Sequence, residues 1–204
     1  MQFQETWLLD PVVTLVPTTV THPAYKRGLT NSLTAFTSPD DATVEFTSAE
    51  YTAIGAEDAS YVITTGSSTR FGRYANVAQL FTFNTSGYSN ITDITCIWKG
   101  YRSGSAPDVE KLQVYKATAW ENWLTSLPTS NTKYSKSLGN GALYFYSSTW
   151  IRFGIYMYLW GDGASYSITL NSDYAALQIT YGIVVVAPKA GLSPALIATI
   201  LEEA

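Results

Sequence analysis

The chain holds one histidine, His22, and one cysteine, Cys96, and these two residues limit its chemistry. A Ser-His-Asp or Cys-His unit needs an imidazole beside the nucleophile to take its proton. Here that imidazole has to be His22, which sits between Thr21 and Pro23 in a proline-rich stretch and reads as a loop or surface residue. A transition-metal site draws on clustered His and Cys ligands, and two such residues do not make one. A single cysteine also excludes an intramolecular disulfide. Carboxylates remain. Two acids flanking a scissile bond hydrolyse glycosides, and Glu45, Glu50, Asp58, Asp93, Asp108, Glu110, Glu121 and Asp173 are available for that role. Most of them fall at strand ends or in turns, where acids serve turn geometry and solubility. The expectation is a protein that is not an enzyme and carries no cofactor. A structural calcium ion is left open, with Asp58, Asp162 or Asp173 as oxygen donors, although Gly161-Asp162-Gly163 lacks the acid spacing of a calcium loop.

Aromatic side chains are the other chemically useful group. Trp98, Tyr101, Tyr115, Trp120 and Trp123 fall within a short span, and Tyr144, Tyr146, Trp150, Tyr156, Tyr158 and Trp160 form a second set. Exposed aromatics stack on sugar rings and anchor protein interfaces. Core packing competes for each of them. Trp98, Tyr101, Trp120 and Trp123 are taken as the candidate binding residues, for carbohydrate or for protein. In the run 156–160, Tyr156, Tyr158 and Trp160 share one face and Met157 and Leu159 the other. Both faces are apolar, so the strand is covered by a second layer or meets another molecule.

The elements that must hold these residues read as β. Charged residues make up only 14% of the 204 residues, and polarity comes from Ser, Thr, Asn and Gly. Apolar and polar residues alternate in Val77–Phe83, with Val77, Gln79, Phe81 and Phe83 on one face, and again in Lys111–Lys116 and Leu177–Tyr181. Val44–Phe46, Tyr61–Thr65, Ile91–Gly100, Tyr134–Leu138, Leu143–Tyr146, Trp150–Trp160 and Ser165–Leu170 complete a series of nine or ten strands. Glu50–Asp58 reads as a connection. Gly139-Asn140-Gly141 and Gly161-Asp162-Gly163 read as hairpin turns. Trp120, Trp123, Leu124 and Leu127 have helical spacing and suggest a short helix or turn over 119–127.

Four of the eight prolines, Pro11, Pro17, Pro23 and Pro39, lie in residues 1–42. That spacing prevents a helix and interrupts ladder pairing, so 1–42 is expected to be an extended arm that docks on its own domain or on a neighbour. Residues 43–187 form the sandwich domain. Residues 188–204 form a tail with a short helix, opened by Ser193 as N-cap and Pro194 at the first helical position. The fold expected is all-β: an antiparallel β-sandwich of jelly-roll type, with an extended N-terminal arm and a short C-terminal helix. A net charge of −4 with no basic run argues against nucleic acid as a partner. No membrane span is expected, because Ile183–Leu201 is broken by Pro188, Lys189, Gly191 and Pro194. No export signal is visible at the start.

Tyr51–Ile54 with Asp58, Gln79–Phe83, Ile91–Ile94 before Trp98-Lys99-Gly100, Leu112–Tyr115 with Trp120 or Trp123, and Ser172-Asp173-Tyr174 follow one another in a set order. Over roughly 43–182 this order resembles the jelly-roll β-sandwich modules of virion, cell-surface and carbohydrate-binding proteins. The resemblance implies a fold and carries over no catalytic residue. Two functions are expected from it and from the two ends of the chain. The first is a virion structural protein, a capsid decoration or tail component, located in the virion. It would contact copies of itself or other virion proteins through Trp7, Leu8, Leu9, Leu196 and Ile200. The second is a carbohydrate-binding or adhesive module of an extracellular or cell-surface protein, with glycans as its partners.

Overall fold

A computed structural model of the chain describes residues 4–188. Twelve strands belong to one hydrogen-bonded set that folds over on itself. One half runs β10 (Thr132–Ser137), β7 (Ile91–Gly104), β13 (Tyr166–Tyr181) and β5 (Val62–Ser68), and β2 (Val12–Leu15) lies along the far end of β13. The other half runs β3 (Ala24–Ser32), β6 (Arg73–Asn84), β12 (Trp150–Gly161), β8 (Val109–Lys116) and β9 (Ala119–Leu124). To it are added β4 (Val44–Glu45) on β3 and β11 (Phe145–Ser147) on β12. All pairings are antiparallel except the parallel bridge Thr30↔Ser67, where β3 and β5 join the two halves. A separate two-stranded ribbon pairs β1 (Gln4–Leu9) with β14 (Ile183–Pro188).

The two halves face each other across one core. From the second half come Val77, Phe81 and Phe83 of β6 and Ile151, Phe153, Ile155 and Met157 of β12. From the first come Ile94, Cys96 and Trp98 of β7 and Ile168, Leu170, Leu177 and Ile179 of β13. Alternation fixes this, since each second residue of a strand points to the same face, and in β13 a bulge between Ser172 and Tyr174 switches the parity so that Ile168 and Leu170 before it and Leu177 and Ile179 after it face the same core. Gln79 is the polar member of the inward row. It donates to Val62 O at 3.2 Å and Thr64 Oγ1 at 2.9 Å, and accepts from Ser172 Oγ at 2.7 Å. Ser172 in turn accepts from Trp98 Nε1 at 2.9 Å. The network satisfies every buried polar group it brings in, as burial requires.

The outer face of the second half has a cover of its own. Phe36 and Ala42 pack on Ala78, Leu80 and Tyr156, forming a second, smaller apolar cluster. This layer over Tyr156 accounts for the two apolar faces of β12. The strap that carries it, residues 33–42, contains a 3-10 turn, Pro39–Asp41.

Several expectations change. Residues 1–42 are not an arm set apart from the domain. Leu15 and Ala24 are in the main core, β2 pairs with β13, and β3 lies between β5 and β6. No proline falls between Pro23 and Pro39, and that is the stretch that forms β3. Residues 119–124 are a strand rather than a helix. Ala117 takes the left-handed conformation that turns the chain after β8, so β9 pairs back on it. Three residues apart on a strand, Trp120 and Trp123 fall on opposite faces, Trp120 with the outer cluster and Trp123 with the main core, and a bulge in the β8–β9 register brings Leu124 opposite Leu112 to join Trp123 there. The helix lies elsewhere, at α1 (Ser48–Ile54), overlapping the first part of the segment read as a connection. Thr47 and Glu50 form its capping box, and Tyr51 and Ile54 are its buried residues. Neither glycine-rich turn closes a hairpin. Gly139–Gly141 links β10, which pairs with β7, to β11, which pairs with β12. Gly161–Gly163 carries the chain from β12 in one half to β13 in the other. The expected tail helix, with Leu196 and Ile200, lies outside the described residues.

Candidate functional site

The outer face of the second half carries an open groove of about 300 Å³ beside the strap. It runs across the strands rather than along one of them. β3 and the residue before it supply Tyr25 and Pro23, β6 supplies Leu80 and Thr82, and β12 supplies Trp150 and Arg152. Tyr146 and Ser147 of β11 close the far side. Alternation again explains the set. Leu80 and Thr82 occupy the outward positions flanking Phe81, and Trp150 and Arg152 those flanking Ile151. Neighbouring strands lie about 4.8 Å apart, so residues remote in sequence line one short trough.

Arg152 is the most elaborately held residue there. Its guanidinium lies over Tyr146 at 4.2 Å from the ring centroid, with Trp120 at 5.5 Å and Tyr115 at 5.9 Å. It forms an ion pair with Asp40 of the strap, and Asp40 Oδ2 also accepts from Trp120 Nε1 at 2.8 Å. Tyr115 meets Trp120 and Tyr146 edge-on at 5.4 and 5.2 Å. Tyr146 nevertheless keeps half its surface exposed (52%). The groove therefore offers aromatic faces, a fixed cation and two aliphatic hydroxyls, from Thr82 and Ser147. Among the described residues none that lines it is a carboxylate.

The four candidate binding residues separate. Trp98 is fully buried in the core. Trp123 packs against the core, with its ring 6.1 Å from Phe153. Tyr101 lies on the outer face of the other half, edge-on to Tyr61 at 5.5 Å. Only Trp120 belongs to the groove's surroundings, through Arg152 and Asp40. Tyr25, Tyr146, Trp150 and Arg152 were not among the candidates. Tyr146 and Trp150 stood in the second aromatic set, but spacing along the chain does not show which face a side chain takes. Of the expected contact residues, Trp7, Leu8 and Leu9 lie in β1, whose partner is this chain's own β14.

The acids considered for catalysis or calcium are engaged separately. Lys26 pairs with Glu50, Arg102 with Glu110 at 2.8 Å, and Lys99 with Asp173 at 2.6 Å. Glu121 lies between Lys136 and Lys116, whose hydrogen bonds hold its carboxyl down at about 2. Asp162 accepts from Ala164 N and Tyr166 Oη, and Asp58 from Ser60 N. Among the described residues no three His, Cys, Asp or Glu side chains group as a metal site. Burial pushes the Cys96 thiol up, away from the reactive thiolate. Among the described residues no helix is long and apolar enough to cross a membrane.

No family model matches the chain, and no curated relative does. Among solved structures it is similar to the N-terminal cellulose-binding domain of β-1,4-glucanase C from Cellulomonas fimi. The two are 12% identical over 63% of this chain and 90% of that one, with a TM-score of 0.26. At that score the likeness carries no argument about what this chain binds.

Proposed function

We propose that this protein is a non-catalytic carbohydrate-binding module acting at an extracellular or cell surface, with the groove on β3, β6, β11 and β12 as its glycan site. One observation carries the reading: Tyr25, Tyr146, Trp150 and Arg152 converge on one open trough. The C–H face of a pyranose ring stacks on an aromatic face, and its hydroxyls need donors and acceptors at the ring's edge. The groove supplies both kinds of group. Its volume is at the low end of the roughly 300–1,000 Å³ of small-molecule sites, which suits one sugar ring or a short oligosaccharide. We further read the strand orders β5-β13-β7-β10 and β6-β12-β8-β9 as a jelly roll. Apart from the β8–β9 hairpin and the added β11, successive strands from β5 to β13 alternate between the two halves.

The other expectation, a virion structural protein that laces its neighbours, depends on the two ends of the chain. β1 has its pairing partner in β14, and no described feature singles out a virion component. Printed glycan arrays test the proposal. The protein is expected to bind a subset of oligosaccharides. Tyr146→Ala and Trp150→Ala should each weaken that binding about tenfold or more, equivalent to ~1.4 kcal/mol, with melting temperature nearly unchanged for the exposed Tyr146. An array with no bound member would overturn the reading.

A further inference from the structure

We infer that Asp40 decides which sugars the groove accepts, selecting neutral glycans over those that bear a carboxylate. The inference rests on the glycan-binding reading above. Among the described residues Arg152 is the only basic side chain lining the groove. An unpaired guanidinium there would favour uronate or sialate groups, because its planar fork matches a carboxylate through two parallel hydrogen bonds. In this protein the fork already has a carboxylate. Asp40 Oδ1 pairs with Arg152, and Asp40 Oδ2 accepts from Trp120 Nε1. The ion pair leaves the site without net charge. A neutral sugar hydroxyl can still accept from a guanidinium N–H, whereas an acidic sugar meets a second negative charge and must compete for Arg152.

Asp40 is held in place from several sides. Ser38 and Asp41 cap its turn, with Asp41 Oδ2 accepting from Thr37 N at 2.8 Å and Ser38 N at 3.2 Å. Pro39 sits over Gly154 of β12, where an added Cβ would come within 2.7 Å of the proline Cβ. Asn76 of β6 clasps the strap, accepting from Phe36 N and donating to Thr34 O, both at 2.9 Å. The carboxylate is thus positioned by the fold before any ligand arrives, and its selectivity is built in.

The test is an array of neutral, uronate-bearing and sialylated oligosaccharides, probed with the wild type and with Asp40→Asn. Asparagine keeps the side chain's shape and an oxygen for Trp120 while removing the charge. The wild type should bind neutral members. The variant should gain about tenfold on carboxylate-bearing members, with little change on neutral ones, and Arg152→Gln added to it should erase the gain. Asp40→Ser should reproduce the gain and serves if the first variant melts abnormally. If the wild type binds acidic members as well as neutral ones, or if neither Asp40 variant gains on them while neutral binding persists, Asp40 is not the selector and the glycan reading stands. If normally melting protein binds no member at all, the glycan reading itself fails, and the selector with it.

Discussion

His22 accepts a hydrogen bond from the Asn84 amide through Nδ1 at 3.1 Å and lies 5.8 Å from the Phe83 ring. Only the neutral imidazole can accept there, so the bond fixes the tautomer with the proton on Nε2. Burial pushes its pKa below the ordinary value of 6.5, outweighing the opposing bond to the Thr21 backbone. The sign follows from linkage. The unfolded chain binds the proton more readily, so the stability tied to neutral His22 is complete above about pH 6.5 and is lost as pH falls through the lowered folded value. Urea denaturation at pH 7.5 and pH 5 should show the wild type losing more stability than His22→Gln, whose side-chain oxygen accepts from the Asn84 amide at both pH values. Equal losses would show that His22 contributes nothing to the pH dependence. The residue first weighed as a nucleophile's partner therefore has a structural use, on the segment that leads into β3 and the groove. Its Thr21-His22-Pro23 setting told of a loop but not of the amide it would meet 62 residues later.

At the scale of elements, the inward rows were legible and the outward ones were not. Strict alternation in β6 placed Val77, Phe81 and Phe83 together, and the same rule placed Gln79 among them without showing what would satisfy it. Its partners come from β5 and β13, through Thr64, Val62 and Ser172. Ser172 is the hinge of this network, since it accepts from Trp98 and donates to Gln79. Ser172→Ala leaves a buried indole N–H and an amide oxygen without that partner, at a cost of about 2–3 kcal/mol. Denaturant melts of the variant check this, and a loss below about 0.5 kcal/mol would mean that water or a rearranged Gln79 fills the gap. The groove was beyond sequence reading for a different reason. Its aromatic and basic residues come from positions 25, 146, 150 and 152, brought together only when β3, β6, β12 and β11 lie side by side. Helix α1 was within reach, because Thr47 and Glu50 spell a capping box ahead of Tyr51 and Ile54.

At the scale of the whole molecule, the first 42 residues tie the outer layers to the core. β2 extends the sheet along β13 and buries Leu15, β3 bridges the two halves at Thr30↔Ser67, and the strap covers the outer face of β6 and β12. Proline spacing had suggested an extended arm because it speaks only to what each short piece can do alone. It is silent on strands formed between the prolines. Two truncations separate these views. Removing residues 1–10 takes away β1 and leaves every strand of the main set with its neighbours, so a cooperative thermal transition and glycan binding should survive. Removing residues 1–42 strips β6 of one of its two neighbours, uncovers Leu80 and Tyr156, and deletes both Tyr25 and Asp40. Losing a paired strand and part of two apolar clusters exceeds the margin of about 5–15 kcal/mol on which a domain of this kind stands. The longer truncation should therefore express as aggregate or show no cooperative transition by calorimetry. A soluble, cooperatively melting 43–204 fragment would show instead that the sheet closes over its core without β3, and that the strap and its Asp40 are an addition to a fold complete without them.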